Sequence, residues 1–167
     1  IGSNCNGFSI SFSNFDENKA TYGGVLYVSL SNSNINITSS SFSKNKGGSG
    51  GALFFNMFNE YIIITKNSFE NNIADWIGGA VAFHTGNSHI ELTYNKFIAN
   101  IANDAGGGLA LVQDNSVTEI SYSKFDNNYA MSGGGVSIDI ANAVDSSETA
   151  LGGIHHCTFT QNQASSS

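Results

Sequence analysis

The 167-residue sequence has no proline and no arginine, and it carries only six lysines. With a net charge of −7, it lacks the clustered cations that hold a phosphate backbone, so nucleic acid is not expected as a partner. No run of 18 apolar residues occurs, so no segment reads as a membrane-spanning helix. No charged and then apolar leader opens the chain either. Charged residues make up only 11%, against 40% hydrophobic. That balance excludes the disordered class, which combines low hydrophobicity with high net charge. The sequence opens on Ile1-Gly2 and closes on Ser165-Ser166-Ser167, both inside the pattern described next, so a processed chain or a piece of a longer one is expected.

What is abundant is order at one period. Phe-x-x-Asn recurs as Phe15/Asn18, Phe42/Asn45, Phe69/Asn72, Phe97/Asn100, Phe125/Asn128 and Phe159/Asn162, with spacings of 27, 27, 28, 28 and 34 residues. A small residue stands two places after each Asn, and a glycine pair follows in five repeats, from Gly23-Gly24 to Gly133-Gly134. An alternating stretch comes after each pair, as in Val25-Leu26-Tyr27-Val28 and Ala52-Leu53-Phe54-Phe55. Period two marks a strand with one buried face. Ile10, Ile37, Ile64, Leu92, Ile120 and Ile154 form a further aliphatic column, five places before each Phe.

Three short strands per 27 to 28 residues leave no room for a crossover helix. The fold expected is all-β, a right-handed parallel β-helix in which each strand stacks on its equivalent about 4.8 Å away. One domain covers residues 1–167, with coils beginning near Phe15, Phe42, Phe69, Phe97, Phe125 and Phe159 and an insertion at 139–153. Like then sits on like. The Phe column becomes an aromatic stack, and the Asn column chains its amides from coil to coil.

The pairing of Phe42-Ser43-Lys44-Asn45 with Gly50-Gly51-Ala52-Leu53, and of Phe69-Glu70-Asn71-Asn72 with Gly78-Gly79-Ala80-Val81, resembles the repeats of the chlamydial polymorphic outer-membrane proteins. Related repeats occur in large surface proteins of protists. The resemblance covers nearly the whole chain and departs at Val25, Gly108 and Gly135, where the alanine is replaced. It implies a β-helical passenger exposed at the cell surface, active in adhesion or self-association, with no catalytic residues to carry over.

The β-helix also resembles the scaffold of pectin lyases and polygalacturonases, so enzyme chemistry has to be weighed. The six lysines cluster at the Phe-x-x-Asn turns and read as solvated. The thirteen acids are scattered over turns, with Asp75 and Asp104 the pair that adjacent coils bring near. His155-His156 should point its two rings to opposite faces by strand alternation. An ice-binding face needs a flat threonine ladder, and none is read in the repeat. No enzyme, cofactor or metal is expected.

Three surface features remain. The outward column Tyr27, Phe54, Ala82, Ala110, flanked by Val25, Ala52 and Ala80, carries no charge, and an apolar face of this kind is usually covered. It is the candidate interface with copies of the chain or flanking parts of the same protein. Asn36-Ile37-Thr38 is the single glycosylation sequon. Cys5 and Cys157 lie about five coils apart, on the order of 24 Å, too far for a bridge within the chain; pairing between molecules stays open. The expectation is a non-catalytic extracellular or cell-surface module, a filament or stalk subunit with uncapped ends. The alternatives are an adhesin passenger contacting carbohydrate or a cell-surface protein, and a polysaccharide lyase or hydrolase.

Overall fold

The computed structural model describes residues 1–139, 143–144 and 153–165. Its strands are all parallel and stack into a β-solenoid of about five turns. Apart from Asp139, Ala143–Val144 and Gly153, the expected insertion lies outside the described residues.

Each coil carries four strands where three were expected. In coil order, sheet 1 begins with Leu26–Leu30, sheet 2 with Asn6–Ser11, sheet 3 with Asn14–Asp16 and sheet 4 with Lys46–Gly47. Sheet 4 is the addition. Its strands are only two residues long, too short for periodicity to reveal, and they end in the small residue that follows each Asn. Register is like on like: Phe42 pairs with Phe69 and Phe97 with Phe125, Ile37 with Ile64, and Leu53 with Val81.

The phenylalanine column is continuous. Consecutive rings from Phe15 to Phe159 stack at 5.1, 4.9, 5.0, 4.6 and 4.9 Å, none tilted by more than 12°. Phe42, Phe69, Phe97 and Phe125 are fully buried; the terminal rings Phe15 and Phe159 have a neighbour on one side only.

Corners follow one rule. A residue in the left-handed region turns the chain, and in the inner coils the next residue points inward with an amide or hydroxyl. Among the described residues nineteen non-glycine residues have positive φ, and every one falls in a column at a corner or at a bulge within sheet 2. Where sheet 3 meets sheet 4, Lys44, Asn71, Ala99 and Asn127 turn the chain ahead of Asn45, Asn72, Asn100 and Asn128. Each such conformer costs about 1–2 kcal/mol, so something must hold it in place. The amide behind it does so. Asn72 Oδ1 accepts from Asn45 N–H at 3.0 Å, and Asn72 Nδ2 donates to the Phe42 carbonyl at 2.9 Å and to Asn100 Oδ1 at 2.9 Å. Corner strain is thereby offset by satisfied backbone groups.

Two further ladders use the same device. Asn32, Asn59, Asn87 and Asn115 run between sheets 1 and 2, and Ser40, Asn67, Asn95 and Ser123 run between sheets 2 and 3. Cys157 extends the last of these, its thiol reaching the Ile120 carbonyl at 3.5 Å. Among the described residues no buried side-chain nitrogen or oxygen lacks a partner.

The turn from sheet 4 back to sheet 1 depends on glycine. Gly50 has φ of +62°, and a Cβ on Gly51 would overlap the Gly79 carbonyl of the next coil.

The outward column proves to be covered. Ala52 N–H and Leu53 N–H both donate to the Ala80 carbonyl, at 2.9 and 3.0 Å. Two successive donors on one acceptor make a bulge, which resets the alternation, so Ala52 and Ala80 lie in the interior and Val25 packs against it. Phe54, Ala82 and Ala110 do face away from the core, but Ile77 packs over them and they are at most 5% exposed. Tyr27 alone of the expected interface residues stays exposed, at 36%. Phe54, Ala82 and Ala110 are thus covered by the chain's own turns, while Tyr22, Tyr27 and Trp76 remain exposed.

Candidate functional site

The corner between sheets 2 and 3 carries the most chemistry on its outer side. Its turning residues are Phe12, Ser39, Lys66, Tyr94, Tyr122 and His156, all at φ of 48 to 58°. The ladder residue that follows each one points inward, so the turning side chain has only solvent to enter. Phe12 is 85% exposed. Tyr94 stacks on Tyr122 at 4.9 Å, and Tyr122 on His156 at 4.9 Å.

Between Phe12 and this aromatic stack lie the short side chain of Ser39 and the flexible one of Lys66. A groove of about 630 Å³ opens there. One wall is the corner column from Phe12 to Tyr94. The other is the first residue of each sheet 3 strand, Asn14, Ser41, Ser68 and Lys96, held in register by the pairing. Ser40 and Asn67 of the inner ladder form the floor. No carboxylate lines this groove, although Ser68 Oγ donates to Glu70 at its margin, at 2.7 Å.

The lysines divide accordingly. Lys44, Lys46 and Lys124 are paired with Glu17 at 3.2 Å, Asp75 at 2.8 Å and Asp126 at 2.8 Å. The Glu17 hydrogen bond and the charges of Asp16 and Glu17 raise the Lys44 pKa, and the Lys124 and Thr160 hydrogen bonds lower that of Asp126. Lys66 and Lys96, which line the groove, have no ion pair among the described residues.

A second surface lies over sheet 1. Tyr22 stacks on Phe54 at 5.5 Å and meets Trp76 at 6.1 Å; Asn56 Nδ2 donates to the Tyr27 hydroxyl at 3.0 Å. Trp76 lies across Gly48, where a Cβ would press on the indole at 3.1 Å. An adjoining cleft of about 430 Å³ is lined by Trp76, His84, Asp104 and Asp139. Asp75 pairs with Lys46 at 2.8 Å.

One expectation is corrected at the sheet 2 to sheet 3 corner. His155 and His156 do not diverge: their Nδ1 atoms lie 2.9 Å apart, because His156 occupies the left-handed corner, where alternation ends. His155 Nε2 also approaches Glu119 at 3.4 Å. A hydroxyl column does exist, Ser11, Thr38, Thr65, Thr93 and Ser121, in register down sheet 2. Thr93 and Ser121 are buried, so the column sinks into the corner and makes no flat face.

Asn36 is exposed on the outer side of sheet 2, between Ser9 and Ile63. Sequence reading missed the groove because its walls are variable positions; a shared column with changing residues was the available signal. No family model, curated protein or solved structure matches this chain.

Proposed function

We propose that this chain is a segment of a non-catalytic rod, an extracellular filament or surface stalk joined end to end to further coils of its own protein or to copies of itself. The observation that carries the proposal is the continuity of the interior. Three polar ladders and a phenylalanine column run along it, and the inward side chains are spent on one another, with no charged group buried among the described residues. In such a rod, successive segments would meet strand edge to strand edge, each coil continuing the four sheets of the one before. The repeat's likeness to the surface passengers of chlamydial polymorphic outer-membrane proteins and protist surface proteins favours the same exposed setting.

Electron microscopy of the purified protein over a range of concentrations tests this: rods that lengthen with concentration are expected, and isolated particles at every concentration would remove self-association. An adhesin is the second reading, favoured by the exposed aromatic corner; its sign is a monomer that binds cells. Hydrolysis has only the Asp104 and Asp139 cleft behind it. Release of reducing sugar by the protein, lost in the double variant Asp104→Asn/Asp139→Asn, would establish it and displace the non-catalytic reading.

A further inference from the structure

We propose that the groove between Phe12 and Tyr94 binds a short acidic saccharide. Charge is the first reason. The chain is acidic overall, at −7, yet this groove is lined by two lysines and no carboxylate. Half of the lysines are neutralised by neighbouring acids elsewhere; Lys66 and Lys96 are those left facing an empty space together. An anionic ligand is what that local excess selects.

Shape and chemistry give the second reason. Phe12 and Tyr94 occupy equivalent corners three coils apart, about 14 Å at the spacing of stacked strands. Their exposed rings bracket a trough whose floor, Ser40 and Asn67, is spent in the inner ladder, and whose walls offer the side chains of Asn14, Ser39 and Ser41. Such groups both donate and accept, which matches the hydroxyls of a sugar, and an aromatic face suits the C–H side of a pyranose. The groove falls within the usual range of small-ligand sites, roughly 300–1,000 Å³. A long polyanion is disfavoured by the net charge of the remaining surface, so the match is to a few sugar units carrying one or two carboxylates.

This site is independent of end-to-end assembly, and it survives if the rod reading fails. The test is calorimetric titration of the whole chain with a glucuronate-containing hexasaccharide, a neutral glucan hexasaccharide, an oligoglutamate peptide and a single-stranded oligonucleotide. Binding of the glucuronate ligand is expected, with the neutral glucan at least tenfold weaker and the other two weaker still. Lys66→Ser copies the residue that the neighbouring coil carries at Ser39, so it leaves the fold intact; it should lower affinity roughly fivefold, as an exposed charge contact does. Tyr94→Ser should do at least as much, with both variants melting at the wild-type temperature. Raising salt from about 0.05 to about 0.5 M should weaken binding. The proposal is overturned if no ligand binds, if peptide, oligonucleotide or neutral glucan binds as well as the acidic sugar, or if Lys66→Ser leaves affinity unchanged.

Discussion

Replacing Asn72 by alanine isolates what the amide ladder contributes. Asn72 is fully buried and serves four contacts: it accepts from Asn45 N–H and Asn45 Nδ2, both at 3.0 Å, and donates to Phe42 O and Asn100 Oδ1, both at 2.9 Å. Alanine strands the buried Asn45 N–H, at about 1–3 kcal/mol, and withdraws a donor from the Phe42 carbonyl, about 1 kcal/mol more. With the void left behind, the total reaches about 3–5 kcal/mol, a large part of the roughly 5–15 kcal/mol that holds a domain folded. Asn18 is the internal control. It stands at the open end of the same ladder, is exposed, and only donates, to Asp16 O at 3.3 Å and Asn45 Oδ1 at 3.0 Å. Asn18→Ala should therefore cost under about 1 kcal/mol. Urea unfolding followed through circular dichroism and the single tryptophan, Trp76, measures both. Asn72→Asp adds a pH test: burial beside Asn100 Oδ1 and the Phe42 carbonyl raises the carboxyl pKa above its unfolded value. The variant is then least impaired below about pH 4, where the unfolded carboxyl is also protonated, and weakens as pH rises through the folded pKa. Equal losses for Asn72→Ala and Asn18→Ala would refute the reasoning.

Four further outcomes are expected. Gly51→Ala should prevent folding or cost more than about 3 kcal/mol, because the added methyl meets the Gly79 carbonyl of the adjacent coil; a wild-type melting temperature would contradict the close approach. Phe97→Ala, removing a ring held between Phe69 and Phe125 at 5.0 and 4.6 Å, should cost about 3–5 kcal/mol by thermal denaturation, against a smaller loss for the half-exposed Phe159→Ala. Burial raises the Cys157 thiol pKa, so its neutral form stabilises the fold at neutral pH and that contribution fades as pH rises through the thiol range. Cys5 is exposed, and a thiol-labelling time course at mildly alkaline pH should show a fast phase lost in Cys5→Ser and a slow phase lost in Cys157→Ser. Expression through a eukaryotic secretory route should add a glycan mass that Asn36→Gln removes; identical masses would leave Asn36 unmodified.

The ladders were legible because in-register stacking forces each coil to repeat the same side chain at the same place. Phe42, Phe69 and Phe97 announce themselves at spacings of 27 and 28 residues. Asn32, Asn59, Asn87 and Asn115 carry the same spacing and were overlooked because their neighbours vary. The corners were illegible for a different reason. Phe12, Lys66, Tyr94 and Ala99 all adopt left-handed backbone, which none of these residue types favours, so the conformation is imposed by the ladder behind them and leaves no local sign. The sheet 1 face was misread at one bond: two N–H groups sharing the Ala80 carbonyl shift the parity at Ala52, and period-two reasoning has no means of seeing a bulge. The groove is the sum of these failures, since its lining alternates between the repeating inner ladder and the variable outer corner.

The asparagine ladders give the solenoid a direction. From Asn18 through Asn45, Asn72, Asn100 and Asn128 to Asn162, every amide-to-amide bond runs from Nδ2 of one coil to Oδ1 of the next toward the C-terminal end, and the column from Asn32 to Asn115 does the same. One end of the stack thus presents carbonyl oxygens and the other amino hydrogens. Two such segments meeting tail to tail would set donor against donor, and head to head acceptor against acceptor; only a polar, one-way succession of coils keeps every amide paired across the junction.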